Sequence, residues 1–242
     1  MRFKPSLGLT VALLIIGMLF AWLGSWQLDR QEEKQLLFDQ FENAPSMAIE
    51  QALKRTDGFS RVEAYGHYDE QRHILLDNKI LNGRVGVHVL TPFVLADGRM
   101  ILINRGWLPL PPDRRELPPV DTDPAPRVIS GIMKKPTIGG HRLGDPDVLV
   151  RDRWPQLITY LDLESVGSAL ETTLEPWLLQ LDDDDPTGFG GRQWKAAVME
   201  PQVHRAYALQ WFSLMLATII IWVTLGIRRG QQKNDQVNQS QK

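Results

Sequence analysis

Two long apolar runs stand near the two ends of the chain. Leu7–Leu28 and Ala206–Ile227 each contain no Asp, Glu, Lys or Arg. A helix of about 22 residues, rising about 1.5 Å per residue, crosses a hydrocarbon core of about 30 Å. The pattern therefore predicts two transmembrane helices, at residues 7–28 and 205–227.

The pattern between these runs is mixed. Arg30–Asn43 has apolar residues at near-helical spacing, which predicts that the first helix continues beyond the membrane, and Met47–Arg55 is consistent with a short second helix. Alternating or β-rich segments predict strands over RVEAYGHY, RHILLDNK, VGVHVLTPFVL, MILINRGW and RVISGIM, and two more at Ile158–Leu161 and Trp177–Leu181 around a helix at Leu163–Glu171. We expect an α+β domain over residues 29–204 with a mostly antiparallel sheet that could close toward a barrel.

Two polar or proline-rich stretches are predicted to lie outside the regular elements. Pro109–Pro126 holds seven prolines, which lack the amide donors of a central strand, so we interpret it as an extended surface loop. The tail Gly230–Lys242 has no apolar periodicity and is expected to be disordered.

Basic residues lie between each apolar run and the nearer end of the chain. Arg2 and Lys4 precede the first run, and Arg228, Arg229 and Lys233 follow the second. The positive-inside rule then predicts a cytoplasmic N-terminus at residues 1–6, a cytoplasmic tail at 228–242 and a domain on the outer face. A cleaved signal peptide is disfavoured, because the first run is longer than a signal h-region and no A-x-A site follows it. An apolar run so close to Met1 also does not match a mitochondrial presequence, so we expect a bacterial inner membrane with a periplasmic domain.

Composition narrows the chemistry. The chain has no cysteine, which excludes disulfides, covalent c-type haem and thiolate metal sites. A net charge of -2 with scattered basic residues gives no nucleic-acid patch. No H-E-x-x-H, G-x-S-x-G or S-x-x-K sequence occurs, so an enzyme is not expected.

A band of polar and aromatic residues lies at the outer end of both apolar runs. On the second helix it comprises His204, Tyr207, Gln210 and Trp211, and on the first Trp22, Ser25, Trp26, Gln27 and Arg30. An aromatic belt at the headgroup level would account for the tryptophans. A histidine, two glutamines and an arginine at one depth favour a functional site, because polar groups near lipid usually have partners.

Four segments together resemble one family. They are LGSWQLDR (Leu23–Arg30), GHY (Gly66–Tyr68), LLDNKILNGRVGVHVLTPFVLADGRMILINRGWLP (Leu75–Pro109) and HRAYALQWFSL (His204–Leu214). In this order and topology they are similar to the Surfeit locus protein 1 family, whose members assist assembly of haem-copper cytochrome c oxidase. The resemblance implies binding of haem a and help with its insertion into subunit I, with subunit I and the haem a synthesis machinery as partners.

The resemblance gives the polar band a role. His204 would be the axial ligand of haem a iron, with Tyr207 and Trp211 as an aromatic wall. Further cofactor contacts would come from Gln210, Trp26, Gln27 and Arg30, and from Arg105, which is equally consistent with a role in the fold.

Two other interpretations stay open. In one, the chain is a membrane-tethered scaffold that holds oxidase subunits without touching a cofactor, and its contact surface is the outer sheet together with the loop around Asn104–Trp107, where an exposed arginine and tryptophan are expected. In the other, it is an enzyme on the outer face with a dispersed site.

Overall fold

The computed structural model describes residues 3–113, 116–136 and 149–239, and it divides into two compact units. One unit comprises Met1–Asp39 and Ala196–Lys242, and the other comprises Gln40–Lys195. The flanking Arg2 lies outside the described residues.

The first unit contains two long helices. Helix α1 spans Leu7–Glu42 and helix α4 spans Pro201–Gln239. Both are long and apolar enough to cross a membrane, and α1 continues past its apolar run as predicted. The tail that we expected to be disordered is helical as far as Gln239. Glutamine and lysine are good helix formers, and a helix already nucleated by the preceding run extends at little cost.

The second unit is built on a seven-stranded sheet. Its strands are β1 (Ser60–Tyr68), β2 (Ile74–Leu81), β3 (Arg84–Leu95), β4 (Met100–Pro109), β5 (Arg127–Lys134), β6 (Gln156–Ile158) and β7 (Leu174–Leu181). The short helix α2 (Ile49–Ala52) precedes the sheet, and α3 (Leu163–Leu170) precedes β7. Every strand and helix predicted in this part of the chain is present, with bounds shifted by a few residues.

Five of the strands form a closed ring. Strand β1 pairs with β5, β5 with β7, β7 with β4 and β4 with β3. The ring closes where Gly66–Tyr68 of β1 pairs with Phe93–Leu95 of β3. Strands β5, β1, β3 and β4 stand in Greek-key order, so the ring is a small barrel of the kind that includes the OB-fold. The predicted closure toward a barrel is confirmed.

The sheet is mixed, although antiparallel pairs predominate as predicted. Two of the pairings in the described residues are parallel, β4 with β7 and β2 with β6. Strand β7 can run parallel to β4 because α3 and the segments before it carry the chain back across the sheet, which a hairpin cannot do. Helix α3 itself begins where Asp162 accepts a hydrogen bond from the Glu164 amide, an N-cap.

Apolar side chains fill both faces of this sheet. The barrel interior is lined by Val62, Ala64, Tyr68, Phe93, Leu95, Ile101, Ile103, Ile129, Met133, Trp177, Leu179 and Leu181, and α2 adds Ile49 and Ala52. Helix α3 covers part of the outer face, where Val166 and Leu170 pack with Leu90, Leu102 and Leu178. Full burial of one such side chain contributes about 1.5–3 kcal/mol, so these two cores account for much of the stability of the domain.

The Asn104–Trp107 segment is not the exposed loop that the scaffold interpretation requires. All four residues belong to β4, and Asn104, Arg105 and Trp107 are 2%, 4% and 8% exposed. The Trp107 Nε1–H donates to the Lys79 carbonyl oxygen at 3.0 Å. The strand predicted over Met100–Trp107 is present, but the expected exposure of its last four residues was wrong. A buried strand in the middle of a sheet can carry polar residues when each has a partner.

Candidate functional site

One hydrogen bond joins the C-terminal end of the first apolar run to the N-terminal end of the second. The Nδ1 atom of His204, in the first turn of α4, lies 2.9 Å from Oε1 of Gln27 on α1. An amide oxygen only accepts, so with this amide orientation Nδ1 carries the proton of a neutral ring and Nε2 keeps its lone pair. Nε2 is buried and has no hydrogen-bond partner among the described residues. The site therefore contains an oriented imidazole with one nitrogen free to act as a ligand.

The next turns of the same helix pair are held by aromatic contacts. Trp211 stacks on Phe20 with ring centroids 5.8 Å apart and planes at 27°. The ring of Phe212 lies against Gly24, where an added Cβ would come within 2.7 Å of it. Glycine is the residue that allows this close approach. These contacts fix the rotation of α4 relative to α1 just beneath His204.

Two further residues of the predicted band on α1, Trp26 and Arg30, contact each other. The Arg30 guanidinium lies 5.8 Å from the centre of the Trp26 ring and makes a 2.6 Å salt bridge with Glu33. Both residues of this salt bridge are about half exposed, and an exposed pair of this kind contributes about 0–1 kcal/mol. Arg30 is thus available to another anion.

On α4, Tyr207 and Gln210 are exposed on the surface of the helix. The structure therefore brings Gln27 directly to His204 and places Trp211 in the same helix contact. It leaves Tyr207 and Gln210 on the outside of the pair, as residues that an approaching ligand could meet.

Arg105 lies in the sheet domain and is occupied there. Its guanidinium donates to the carbonyl oxygens of Thr187 and Asp121 and to Oγ1 of Thr122. It is sandwiched between the rings of Tyr68 and Phe189, 4.7 Å from each centre. Burial lowers the pKa of Arg105 below its ordinary value. These contacts tie the proline-rich loop and the loop after β7 to the barrel, which is the fold role that the sequence left open.

The opposite ends of the two helices are also linked. Trp222 Nε1 donates to Oγ1 of Thr10 at 3.0 Å, and the Lys4 amide donates to the Gly226 carbonyl oxygen at 3.1 Å. Between these contacts and the Phe20–Trp211 pair lies an apolar groove of about 440 Å³. Neither these contacts nor the approach of Phe212 to Gly24 was predicted from the sequence, although small residues such as Gly24 in an apolar helix are the signal that marks close helix packing.

Comparison with known proteins places the chain in a family. The SURF1 family model matches residues 14–216. The chain belongs to the SURF1 family. It is 27% identical to the SURF1-like protein of Monosiga brevicollis, over 95% of this chain and 92% of the relative. It is 26% identical to Surfeit locus protein 1 of Mus musculus (90% and 75%) and 25% identical to an uncharacterized SURF1-like protein of Mycobacterium tuberculosis (85% and 78%).

Two of the segments that carry the resemblance to this family meet in the structure. Leu23–Arg30 supplies Gly24 and Gln27, and His204–Leu214 supplies His204, Trp211 and Phe212. They contact each other through the His204–Gln27 hydrogen bond and the Gly24–Phe212 approach. The SURF1 resemblance and the candidate site therefore rest on the same pair of helix segments.

Proposed function

We propose that this SURF1 protein is an assembly factor for haem-copper cytochrome c oxidase that binds haem a and assists its insertion into subunit I. Membership of the SURF1 family, known generally for oxidase assembly factors, supports the assembly role. The observation that supports haem binding is the free, buried Nε2 of His204. In this role the protein acts as a carrier and not as an enzyme.

The His204 side chain suits an iron ligand for a specific reason. Histidine ligands of metals usually donate their second ring N–H to a carbonyl or carboxylate, which fixes the tautomer and the direction of the lone pair. Gln27 supplies that acceptor at 2.9 Å. A buried polar atom without a partner costs about 1–3 kcal/mol, and coordination of iron would remove this cost. Because Nε2 has no exposed surface, the groups that cover it would move aside when the cofactor enters.

The neighbouring residues have chemistry that matches the rest of a haem. Trp211, Tyr207 and Trp26 offer aromatic surface for the macrocycle, and Gln210 offers an amide. Arg30 can leave its exposed salt bridge with Glu33 to pair with a propionate. It suits this role better than Arg105, whose guanidinium hydrogens are already donated to three groups of the sheet domain.

The proposed location follows from the same chemistry. Haem a carries a long apolar tail, and each buried CH₂ contributes about 0.8 kcal/mol. A site at the end of two membrane-spanning helices lets this tail stay in the bilayer while the propionates reach water. We place the protein in a bacterial inner membrane with both termini cytoplasmic and the sheet domain periplasmic, beside subunit I and the haem a synthesis machinery.

The scaffold alternative loses its strongest support. Of its two contact surfaces, the outer sheet and the Asn104–Trp107 segment, the second was to offer an exposed arginine and tryptophan, and both residues are buried in β4. A scaffold that uses another surface would bind no haem, and this difference is what the experiment measures.

The test compares the full-length protein purified in mild detergent from two strains, one that makes haem a and one that lacks haem a synthase. We expect haem a to be extracted from the first preparation. In a third strain, from which the gene for this SURF1 protein is deleted, cytochrome a absorbance and oxidase turnover should fall. Quinol oxidases without haem a should stay near normal. Unchanged cytochrome a absorbance and turnover in that strain would remove the assembly role. Protein free of haem from both strains, with reduced oxidase in the deletion, would leave the scaffold as the better account.

A further inference from the structure

A row of polar side chains crosses the outer face of the sheet domain. It occupies five strands that neighbour one another in the sheet, and its members are Lys134 on β5, Gln180 on β7, Asn104 on β4, His88 on β3 and Lys79 on β2. Residues adjacent to them in sequence, such as Ile103 and Leu179, line the barrel interior. Because side chains alternate across a strand, Lys134, Gln180 and Asn104 point outward.

The pairing register confirms that the row is continuous. Lys134 lies opposite Leu178, two residues before Gln180 on β7. Gln180 lies opposite Asn104 on β4, and Asn104 lies opposite Leu90, two residues beyond His88 on β3. On the far side, Lys79 lies opposite Gly86, two residues before His88. These positions share one face of the sheet, and Lys134 borders the area that α3 covers, because its partner Leu178 packs with α3.

The hydrogen bonds at the centre of the row define which atoms can donate. The Gly106 amide donates to Oδ1 of Asn104 at 3.2 Å, which fixes the orientation of the Asn104 amide. Nδ2 of Asn104 therefore donates to Nδ1 of His88, also at 3.2 Å. Since Nδ1 accepts, the neutral His88 ring carries its proton on Nε2 and can offer it to a ligand. Trp194 packs edge to face on this ring at 5.5 Å and holds it in place.

The two ends of the row are lysines in an unfavourable setting. Lys79 and Lys134 are both half-buried, and neither forms a salt bridge with any residue that the structure describes. Burial lowers the pKa of Lys134, and the charge of Lys79 lowers it further. Burial also lowers the pKa of Lys79, with Asp77 acting in the opposite direction. The two ammonium groups are partly buried and repel each other. A bound anion would offset this repulsion.

Gln180 adds an independent sign of an incomplete site. The residue is 6% exposed, and its Oε1 is buried without a hydrogen-bond partner among the described residues. The two ends of an amide interchange by rotation, so Gln180 can turn an N–H toward a bound group. An unsatisfied buried amide oxygen, two residues beyond the position opposite Lys134, indicates a missing polar ligand.

We propose that this row is a binding site for an anionic oxygen group, a carboxylate or a phosphate, held by Lys79 and Lys134. The lysines supply the charge, which suits a spherical anion as well as a planar one. The Nε2–H of His88 and the amide of Gln180 supply neutral donors between them. The site lies in the sheet domain and is independent of His204 and of haem binding.

The test is isothermal titration calorimetry on the full-length protein in nonionic detergent and Tris chloride buffer. Inorganic phosphate and acetate are titrated separately, with sodium chloride at matched ionic strength as the reference. We expect saturable binding of phosphate, acetate or both, and the response of each reveals which class of anion the site prefers. The same binding should persist in a His204→Ala variant.

Three substitutions assign the binding to the row. Lys134→Met and Lys79→Met remove charge at nearly constant volume and should each weaken binding at least 10-fold. Lys135→Met is the matched control, because Lys135 is exposed and points to the other face, where it lies over Trp177. It should bind as the wild type does. Gln180→Leu, checked for an unchanged melting temperature, should weaken binding by a smaller factor. Heats from phosphate and acetate that match sodium chloride, or equal losses in Lys135→Met and Lys134→Met, would overturn the proposal.

Discussion

Gln27 Oε1 accepts the Nδ1–H of His204 at 2.9 Å, although the two residues are 177 positions apart in the chain. This contact orients the ring so that its other nitrogen, buried and without a partner in the described residues, keeps a lone pair. It also sets the two apolar helices against each other at one end, with the Phe20–Trp211 stack in the turns beneath. The proposed haem ligand is thus held by a residue of the other helix.

Removal of the Gln27 acceptor should weaken haem binding without removing the ligand. In Gln27→Ala the His204 ring can rotate and change tautomer, and loss of such an orienting partner typically costs about 10- to 100-fold in metal affinity. Gln27→Glu keeps an acceptor and should retain haem. Haem content per protein after detergent washing measures the effect. Gln35→Ala is the control, because Gln35 is an exposed residue of the same helix that bonds Asp39; equal haem loss in both variants would show that Gln27 has no special role.

The topology can be tested by fusion to alkaline phosphatase, which is active only outside the cytoplasm. A fusion after Asp97 should be active, and a fusion after Gln232 should be inactive, because basic residues flank both termini. An active fusion after Gln232 would mean that α4 does not cross the membrane, and the location proposed for the haem site would fail with it.

The buried Arg105 should contribute strongly to the stability of the sheet domain. Lysine keeps the charge but cannot reach three acceptors at once or stack between two rings. We expect Arg105→Lys to lower the free energy of unfolding by about 2–4 kcal/mol, because it leaves buried acceptors unsatisfied. Urea unfolding followed by near-ultraviolet circular dichroism measures this. Arg99→Lys, at an exposed salt bridge with Asp97, should have little effect, and similar midpoints for the two variants would contradict the account.

Stability should fall as the pH is lowered, in a window set by His88. Burial, aided by Lys79 and Lys134, lowers the pKa of His88 to about 4 from its ordinary 6.5. Between these values the unfolded chain binds a proton that the folded chain does not, so folding stability is full above 6.5 and is lost toward pH 4. With allowance for solvent at this partly exposed ring, we expect a loss of about 1–2 kcal/mol from pH 7.5 to pH 5.

Urea unfolding at the two pH values, in buffer free of phosphate and carboxylates, measures this loss. His88→Gln should reduce the difference. Some of it should persist, because burial also lowers the pKa of His73. A wild-type protein that becomes more stable at pH 5 would have the opposite sign and would exclude this assignment.

Most helices and strands of the fold could be predicted from local sequence patterns. Charge-free runs identify α1 and α4, and alternation identifies β1 to β5, because both signals depend on the environment of each residue along one element. The parallel pairing of β7 with β4 depends on which distant strands meet, which alternation does not encode. The same limit applies to Asn104–Trp107, whose polar side chains suggested an exposed loop. The segment lies inside the sheet because Asn104, Arg105 and Trp107 form hydrogen bonds with Gly106, Thr187 and Lys79 respectively.

The candidate site was partly visible in the sequence for a similar reason. Depth in a membrane helix can be counted along the chain, which places His204 and Gln27 at the same level. Which of the band residues touch is decided by the rotation of the helices, and this rotation is set by contacts such as Phe212 on Gly24. Arg105 could not be assigned from sequence, because its acceptors lie on loops 16 to 82 positions away.

The visible absorption spectrum of purified His204→Ala tests the central claim most directly. His67→Ala, at an exposed histidine of β1, serves as the control, and both variants should reach the wild-type level in the membrane. We predict that His204→Ala loses haem a or shows a strongly shifted Soret band, that added imidazole moves the band back toward its wild-type position, and that His67→Ala is unchanged. A His204→Ala protein with wild-type haem content and the same Soret position would contradict the assignment of His204 as the iron ligand.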